Sequence, residues 1–271
     1  MRAIRFRLPA DEKEELLDAL LPLLPTGVLE RGCGDEVELV AVAAVLPPRA
    51  ALEAAAGNGL AGWEERDVPA DWRARRPLIG GGGVLVGGRV LVRSPDDPPP
   101  EAPGVLDLVL ERAGGGFGSG SHPTTRMCLE LLLDLVPAGG AVDLGCGLGT
   151  LAIAAARLGW SPVAGVDRMA AAVDAARANG ARNGADVTWD VADLERDPVP
   201  LAALVLVNAP PPVQARVAAA ADAAVRTVIV SGMLLPELRD ALPAYAAAGL
   251  APVRALEQDG WAAARLERAD A

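Results

Sequence analysis

The sequence predicts an α/β protein with a Rossmann-like sheet of parallel strands, preceded by a small ferredoxin-like α+β domain. Three observations predict this fold. From residue 124 onward, short valine-rich segments alternate with segments of helical periodicity, which is typical of a parallel sheet covered by helices on both faces. A glycine-rich turn joins the first of these strands to its helix. The first 68 residues follow the order strand, helix, strand, strand, helix, strand, which is the ferredoxin-like pattern.

The composition is that of a folded, acidic protein. The chain has 271 residues, of which 51% are apolar and 23% charged, so it can bury a sizeable core. With 36 Asp and Glu against 25 Lys and Arg, the formal net charge is −11. A nucleic-acid binder generally needs a basic face that neutralises phosphates, so we expect no direct nucleic-acid readout. A basic partner fits this charge better, and the alternative is that the surplus acidic residues only keep the protein soluble.

Cysteine usage and apolar patterning predict a cytoplasmic protein without a metal site. Cys33, Cys128 and Cys146 are odd in number, far apart and in no metal-ligand spacing. The first twenty residues mix arginines with acidic residues and lack the apolar core of a signal peptide. The uncharged stretch 198–215 contains five prolines, so we expect no membrane-spanning helix there.

The first domain is expected over residues 1–68. Within it, Pro9 and Pro25 bracket a helix over 11–24 whose leucines recur on one face. The other predicted elements are a strand at 2–8, an extended piece at 28–29, a strand at 36–43, a helix at 48–56 and an extended segment at 63–68.

Residues 69–103 are predicted to form a linker with a lead-in strand. Prolines and arginines dominate 69–77, a glycine run occupies 80–83, and prolines recur over 95–103. Between them, 84–92 has the apolar pattern of one strand. The arginines of the first stretch form either a solvated face or a contact with a partner.

The second domain is expected over residues 104–271. Its last two strands are separated by Asp259-Gly260, a pair that favours the tight turn of an antiparallel hairpin. The predicted helices are 124–136, 150–159, 169–179, 212–224 and 235–248, and the predicted strands are 141–145, 162–167, 187–191, 203–207, 227–231, 250–257 and 261–267.

The glycine-rich turn indicates a cofactor site at the carboxyl ends of the strands. The pattern Asp143-x-Gly145-x-Gly147-x-Gly149 follows the first strand, and a turn without Cβ atoms lets the backbone approach a ligand. A dinucleotide fingerprint would need glycine at the position of Thr150, which disfavours a dehydrogenase. A purely structural turn remains the alternative.

A second acid lies at the end of the next strand. Asp167 follows Asp143 by 24 residues and is placed to accept hydrogen bonds from both hydroxyls of an adenosine ribose. It would also serve as a cap for the helix predicted at 169–179, and the two roles are compatible.

Two further polar segments are candidates for the same site. The loop 116–126 places glycines and hydroxyls before a helix, where free N–H groups hold a carboxylate. It contains His122, the one histidine of the sequence, which is either a structural residue of the loop or a proton acceptor. Asn208 ends an apolar strand and would orient an amine through its side-chain oxygen, or would start the next turn.

Together, the segments 117–125, 143–149, 151–155 and 165–167 with Asn208 resemble the bacterial lysine methyltransferases of ribosomal protein L11. The resemblance implies a class I methyltransferase domain that uses S-adenosylmethionine (SAM). It also implies that the N-terminal domain holds ribosomal protein L11, whose lysine and amino-terminal amines receive the methyl groups.

By position, the resemblance assigns cofactor contacts to Thr125, Gly145, Asp167 and Asn208, with Asn208 also the catalytic residue beside the amine. The other predicted cofactor residues are Phe117, Thr124, Asp143, Gly147, Gly149 and, beside the adenine, Asp193.

The chain departs from the family pattern around the acceptor site. Ser119 replaces the usual threonine, and Ala203 the usual aspartate. Arg168-Met169 follows Asp167 where a second acid and proline are usual, and 209–212 reads Ala-Pro-Pro-Pro in place of an aliphatic stretch. Two alternatives therefore remain: a methyltransferase for another protein or amine, and a SAM-binding module without turnover.

Overall fold

The computed structural model forms two compact units, one from the described residues up to 67 and one from those after 82. The residues that the structure describes are 2–9, 12–24, 29–33, 36–43, 45–57, 60–67, 83–111, 120 and 122–268.

The first unit is a four-stranded antiparallel sheet with two helices, and it confirms the ferredoxin-like prediction. The sheet order is β2-β3-β1-β4. A 3₁₀ turn over Leu21–Leu23 follows the first helix. The strands are β1 (Arg2–Pro9), β2 (Leu29–Cys33), β3 (Glu36–Ala43) and β4 (Ala61–Asp67), and the helices are α1 (Lys13–Leu20) and α2 (Arg49–Ala55).

Alternating burial along the strands builds the core of this unit. Phe6, Leu20, Leu39 and Leu52 are all fully buried, so strand and helix side chains meet between the sheet and its helices. The second strand is longer than the predicted 28–29 because its whole length pairs with β3, a contact that no local pattern reveals.

The second unit contains a seven-stranded sheet of order β10-β9-β8-β11-β12-β14-β13. The first five strands are parallel, and β14 pairs antiparallel with both β12 and the edge strand β13. The strands are β8 (Ala141–Leu144), β9 (Val163–Asp167), β10 (Thr188–Val191), β11 (Leu204–Asn208), β12 (Thr227–Leu234), β13 (Leu250–Gln258) and β14 (Trp261–Arg268).

Helices cover both faces of this sheet, as the valine-rich strands predict. Residues of α3, α4 and α5 pack with Leu204 and Leu206 on one face, and residues of α6 and α7 pack with Val205 and Val207 on the other. The helices are α3 (Pro123–Leu133), α4 (Thr150–Leu158), α5 (Ala170–Arg182), α6 (Pro211–Ala220) and α7 (Leu235–Ala247).

The hairpin at the end of the sheet is confirmed. Asp259 and Gly260 have φ angles of 54° and 80°, the left-handed values that a two-residue hairpin turn of this kind requires. Gln258 consequently pairs with Trp261 across the turn.

The predicted single strand 84–92 is wrong. The structure has β5 (Val84–Val86) and β6 (Val90–Arg93), because Gly87 and Gly88 adopt positive φ angles and turn the chain between them. A further strand, β7 (Leu106–Val109), runs parallel to β6 and completes a three-stranded sheet within the second unit. The arginine cluster and most of the glycine run of the predicted linker lie outside the described residues.

None of the helices in the described ranges has the length and hydropathy needed to cross a bilayer.

Candidate active site

The carboxyl ends of β8 and β11 meet the amino-terminal turns of α3 and α4 around one small pocket. Its lining includes four of the predicted residues, Thr125, Asp143, Gly145 and Asn208. The sequence analysis did not select the other three lining residues, Cys146, Thr150 and Leu151. The fold therefore brings the glycine-rich turn, the loop before α3 and the end of β11 to one place, as parallel strands require.

The glycine-rich turn has a backbone that only glycine adopts readily. Gly145, Gly147 and Gly149 have φ angles of 80°, 52° and 82°. The N–H groups of Gly145 and Cys146 both donate to the carbonyl oxygen of Val166, each at 2.9 Å. The turn is thus tied to the neighbouring strand and is set in shape before any ligand arrives.

Trp189 of β10 supports this turn from behind, and the sequence analysis missed it. A Cβ atom added to Gly149 would lie 2.6 Å from Cη2 of the indole, and one added to Gly165 would lie 2.5 Å from Cζ3. A Cβ atom added to Gly180 of α5 would lie 3.2 Å from Cζ2 of the same ring. Three glycines thus make room for one buried indole. In the sequence these glycines are far apart and nothing links them to Trp189.

Asp143 is a buried carboxyl group in the pocket wall. Its Oδ2 accepts a hydrogen bond from the backbone N–H of Ala152 at 3.0 Å, which ties β8 to α4. Burial raises the pKa of Asp143 to about 7, the Asp167 charge adds to this, and the Ala152 hydrogen bond opposes it. This group is therefore partly protonated near neutral pH.

Asp167 connects the glycine-rich turn to the start of α5. Its Oδ2 accepts from the Gly147 N–H and its Oδ1 from the Met169 N–H, both at 2.9 Å. The predicted helix cap is not present, because the N-cap residue of α5 is Met169 and no side chain caps this helix; Asp167 instead binds the backbone N–H of that N-cap residue. Each carboxylate oxygen can accept a further hydrogen bond, so ribose binding remains compatible with this role.

Asn208 lines the pocket and has an unused hydrogen-bond acceptor. Its Nδ2 donates to Oγ1 of Thr124 at 3.2 Å, whereas its Oδ1 is buried without a partner in the described structure. The Oγ1 atom of Thr125 is likewise buried and unpaired. Leaving a buried polar atom unpaired costs about 1–3 kcal/mol, so two such atoms on one pocket indicate a polar ligand.

His122 is the N-cap residue of α3. Its Nδ1 lies 2.7 Å from Thr124 Oγ1 and 3.4 Å from the Thr124 N–H. The imidazole ring also packs edge-on against Trp261, with 4.8 Å between ring centroids. These contacts match the structural alternative of the sequence analysis.

Asp193 and Phe117 are not brought to the pocket by described contacts. Asp193 lies in a turn after β10, where its Oδ1 accepts from the Glu195 N–H at 3.1 Å and its Oδ2 lies 3.5 Å from Nε of Arg196. Its predicted contact with adenine stays a prediction. Phe117 lies outside the described residues.

Asn179 is a further functional candidate that the sequence analysis missed. This buried residue of α5 accepts from the Glu111 N–H at 2.8 Å and donates to the carbonyl oxygens of Leu148 and Glu111, both at 3.2 Å. It therefore links the glycine-rich turn to the strand segment that leads into the loop before α3. The available signal was a pair of asparagines, 179 and 183, on one face of an alanine-rich helix.

Metal-ligating side chains do not cluster in groups of three or more anywhere in the described ranges.

The chain is similar in sequence to curated relatives over part of its length. A ribosomal protein L11 methyltransferase from Dechloromonas aromatica (strain RCB) is 57% identical over 83 residues, 30% of this chain and 28% of that protein. One from Burkholderia vietnamiensis is 49% identical over 100 residues, 36% of this chain and 32% of that protein. The matched part thus spans less than a third of the length of each of these two relatives.

A solved structure has a similar fold. The crystal structure of a ribosomal protein L11 methylase from Lactobacillus delbrueckii subsp. bulgaricus aligns with 68% of this chain and 96% of that chain, with a TM-score of 0.60 and 23% identity. A likeness at this identity concerns the fold alone, and it confirms the predicted Rossmann-like class I methyltransferase sheet.

The family assignment comes from a match that extends over most of the second unit. The sequence model of the family described as "Ribosomal protein L11 methyltransferase (PrmA)" matches residues 84–269, more than two thirds of the chain. This range contains the glycine-rich turn, the loop before α3 and Asn208. The chain belongs to the ribosomal protein L11 methyltransferase family.

Proposed function

We propose that this protein is a SAM-dependent protein methyltransferase that methylates lysine and amino-terminal amines of ribosomal protein L11. The observation that carries the proposal is the buried, unpaired Oδ1 of Asn208, on the same pocket as the glycine-rich turn. An amide oxygen in this position accepts a hydrogen bond from an amine and thereby directs the nitrogen lone pair.

The residues present fit the cofactor. The unpaired hydroxyl of Thr125 and the N–H groups ahead of α3 would hold the methionine end, and the open backbone of Gly145 would admit the sulfonium region. The carboxylate of Asp167 would accept hydrogen bonds from the ribose hydroxyls. When bound, SAM supplies an electrophilic methyl group.

The chain's own contribution to transfer is positioning and exclusion of water. A lysine ammonium has no free lone pair, so the amine must lose a proton to water or a nearby group before it reacts. Asn208 would then hold the neutral nitrogen in line with the methyl group. Alignment of this kind accounts for a large part of the rate enhancement in two-substrate reactions.

The finer assignments are also part of this proposal. The ferredoxin-like unit, predicted over residues 1–68, would hold ribosomal protein L11, and the second unit, whose described residues come after 82, would carry out the transfer. The formal charge of −11 favours a basic protein substrate. A cytoplasmic location follows from a ribosomal substrate.

Two alternatives are separated from this proposal by specific features. A methyltransferase for another protein or amine would share the cofactor pocket and differ at 209–212, where prolines replace the family's aliphatic stretch. A SAM-binding module without turnover would also retain the pocket. The retained acceptor of Asn208 favours an active enzyme over such a module.

The test is mass spectrometry of purified ribosomal protein L11 after incubation with the protein and SAM. We expect mass increases in whole methyl increments, and none with N208A. Calorimetry with SAM accompanies the assay. SAM binding with methylation of another protein in a ribosomal extract would overturn the substrate, and SAM binding with no transfer at all would overturn the activity.

A further inference from the structure

A buried glutamine contacts the backbone on both sides of Asn208. Gln214, in the first turn of α6, is fully buried. Its Nε2 lies 3.2 Å from the carbonyl oxygen of Val207, 3.0 Å from that of Ala209 and 2.8 Å from that of Ser231. The first two carbonyls flank Asn208 in the chain, and Ser231 pairs with Asn208 across the sheet.

The orientation of this side-chain amide is fixed by its surroundings. The hydroxyl of Tyr245, which is also fully buried, donates to Oε1 of Gln214 at 2.7 Å. Burial raises the pKa of Tyr245, so its hydroxyl remains protonated and able to donate. The reversed amide would set Oε1 against three carbonyl oxygens, so the amide keeps its two N–H groups turned toward these carbonyls.

The prolines after Asn208 explain why a side chain is needed here. Positions 210–212 are all proline and have no N–H groups, so they cannot donate to the carbonyls at the end of β11. The amide of Gln214 supplies these donors from the next turn of the chain. Gly232 packs tightly against the backbone of Ala209, because a Cβ atom at position 232 would lie 2.5 Å from the Ala209 nitrogen.

We infer that Gln214 is a positioning residue for Asn208. By holding the carbonyls on both sides of Asn208, it fixes the backbone from which the side-chain oxygen reaches the incoming amine. Gln214 is absent from the pocket lining, so it acts through Asn208 and does not touch the cofactor pocket. This inference rests on the proposed function. On this inference, the prolines at 210–212 and the side chain of Gln214 together shape the backbone next to Asn208.

The variants Gln214→Met and Tyr245→Phe test the inference. The first removes the amide at nearly constant volume, and the second removes only the donor that orients it. Leu250→Ala serves as the stability control, because Leu250 is fully buried in the same core cluster but lies on the edge strand β13. Rates are measured well below the melting temperature of every variant, with SAM affinity measured by calorimetry and Asn208 side-chain mobility by ¹⁵N relaxation.

We expect kcat to fall about tenfold or more in Gln214→Met and less in Tyr245→Phe, as a misplaced reacting group predicts. SAM affinity should stay within about twofold of the wild type, while the Asn208 amide becomes mobile. Rates equal to those of Leu250→Ala with a rigid Asn208 amide would overturn the inference. If the wild type transfers no methyl group, the proposed function fails, and the relaxation measurement alone then decides on the role of Gln214.

Discussion

The backbone N–H of Gly147 donates to Oδ2 of Asp167 at 2.9 Å, so this carboxylate holds the glycine-rich turn. The second oxygen accepts from the Met169 N–H at the start of α5. Asp167 therefore connects the glycine-rich turn to the start of α5.

Replacing Asp167 by alanine should weaken SAM binding by about ten- to a hundredfold, because hydrogen bonds to a charged group contribute about 1.5–3 kcal/mol. Calorimetry measures this loss. D174A is the control, since Asp174 lies on α5, the helix that follows Asp167 in the chain, with a side chain that is 75% exposed. Equal SAM affinity in the two variants would contradict the assignment of Asp167 to the cofactor.

The buried carboxyl of Asp143 should make stability depend on pH. Its pKa of about 7 in the folded state lies above the ordinary value of 3.8, so the folded protein binds more protons than the unfolded chain between these values. The free energy of unfolding should therefore decline as pH rises from about 4 to about 7, by up to about 4 kcal/mol from this group.

The variant D143N isolates this effect. It keeps an oxygen that accepts from the Ala152 N–H but cannot ionise. Urea unfolding at several pH values should show the variant gaining stability relative to the wild type as pH rises through this window. Parallel curves for the two proteins would show that Asp143 does not titrate in this range.

Comparing Gly149 with Gly184 separates the cost of backbone strain from the cost of a steric clash. Gly149 and Gly184 have φ angles of 82° and 58°, but a Cβ atom at Gly149 would lie 2.6 Å from Trp189 Cη2, whereas none would meet an atom within 4 Å at Gly184. We expect G184A to cost about 1 kcal/mol of stability for the left-handed backbone alone. G149A should cost clearly more and should also weaken SAM binding. Thermal unfolding measures the stability of both variants, and calorimetry measures their SAM affinity. A similar loss of stability at the two positions would mean that the Trp189 indole moves aside at little cost.

The sequence predicted the parts of this fold that depend on local patterns. Valine runs located the strands of the large sheet, and glycine spacing located the turn after β8. The strand β7 was missed because a four-residue segment becomes a strand only through its pairing with β6. Gly87 and Gly88 form a turn within the apolar segment 84–92, which the sequence analysis took as one continuous strand.

The site was predictable where a residue acts from the end of a strand, and not where it acts through contacts distant in sequence. Asp167 and Asn208 lie at such ends, so the sequence predicted their place at this edge of the sheet. Gln214 and Asn179 lie within helices and serve carbonyls from other segments, which only the folded chain brings within reach. Trp189 was missed for the same reason.

Asn179 and Asn183 offer a direct test of whether the glycine-rich turn is coupled to the segment before the α3 loop. Asn183 pairs with both backbone groups of Val109 at 2.8 Å, much as Asn179 pairs with Glu111, but only Asn179 also reaches the Leu148 carbonyl. N179A and N183A should each lose about 1–3 kcal/mol of stability, since both leave buried backbone groups unpaired. Only N179A should also weaken SAM binding, because it alone releases the turn. Calorimetry and urea unfolding of the two variants measure these quantities, and equal SAM affinities at equal stability would show that Asn179 supports the fold without positioning the turn.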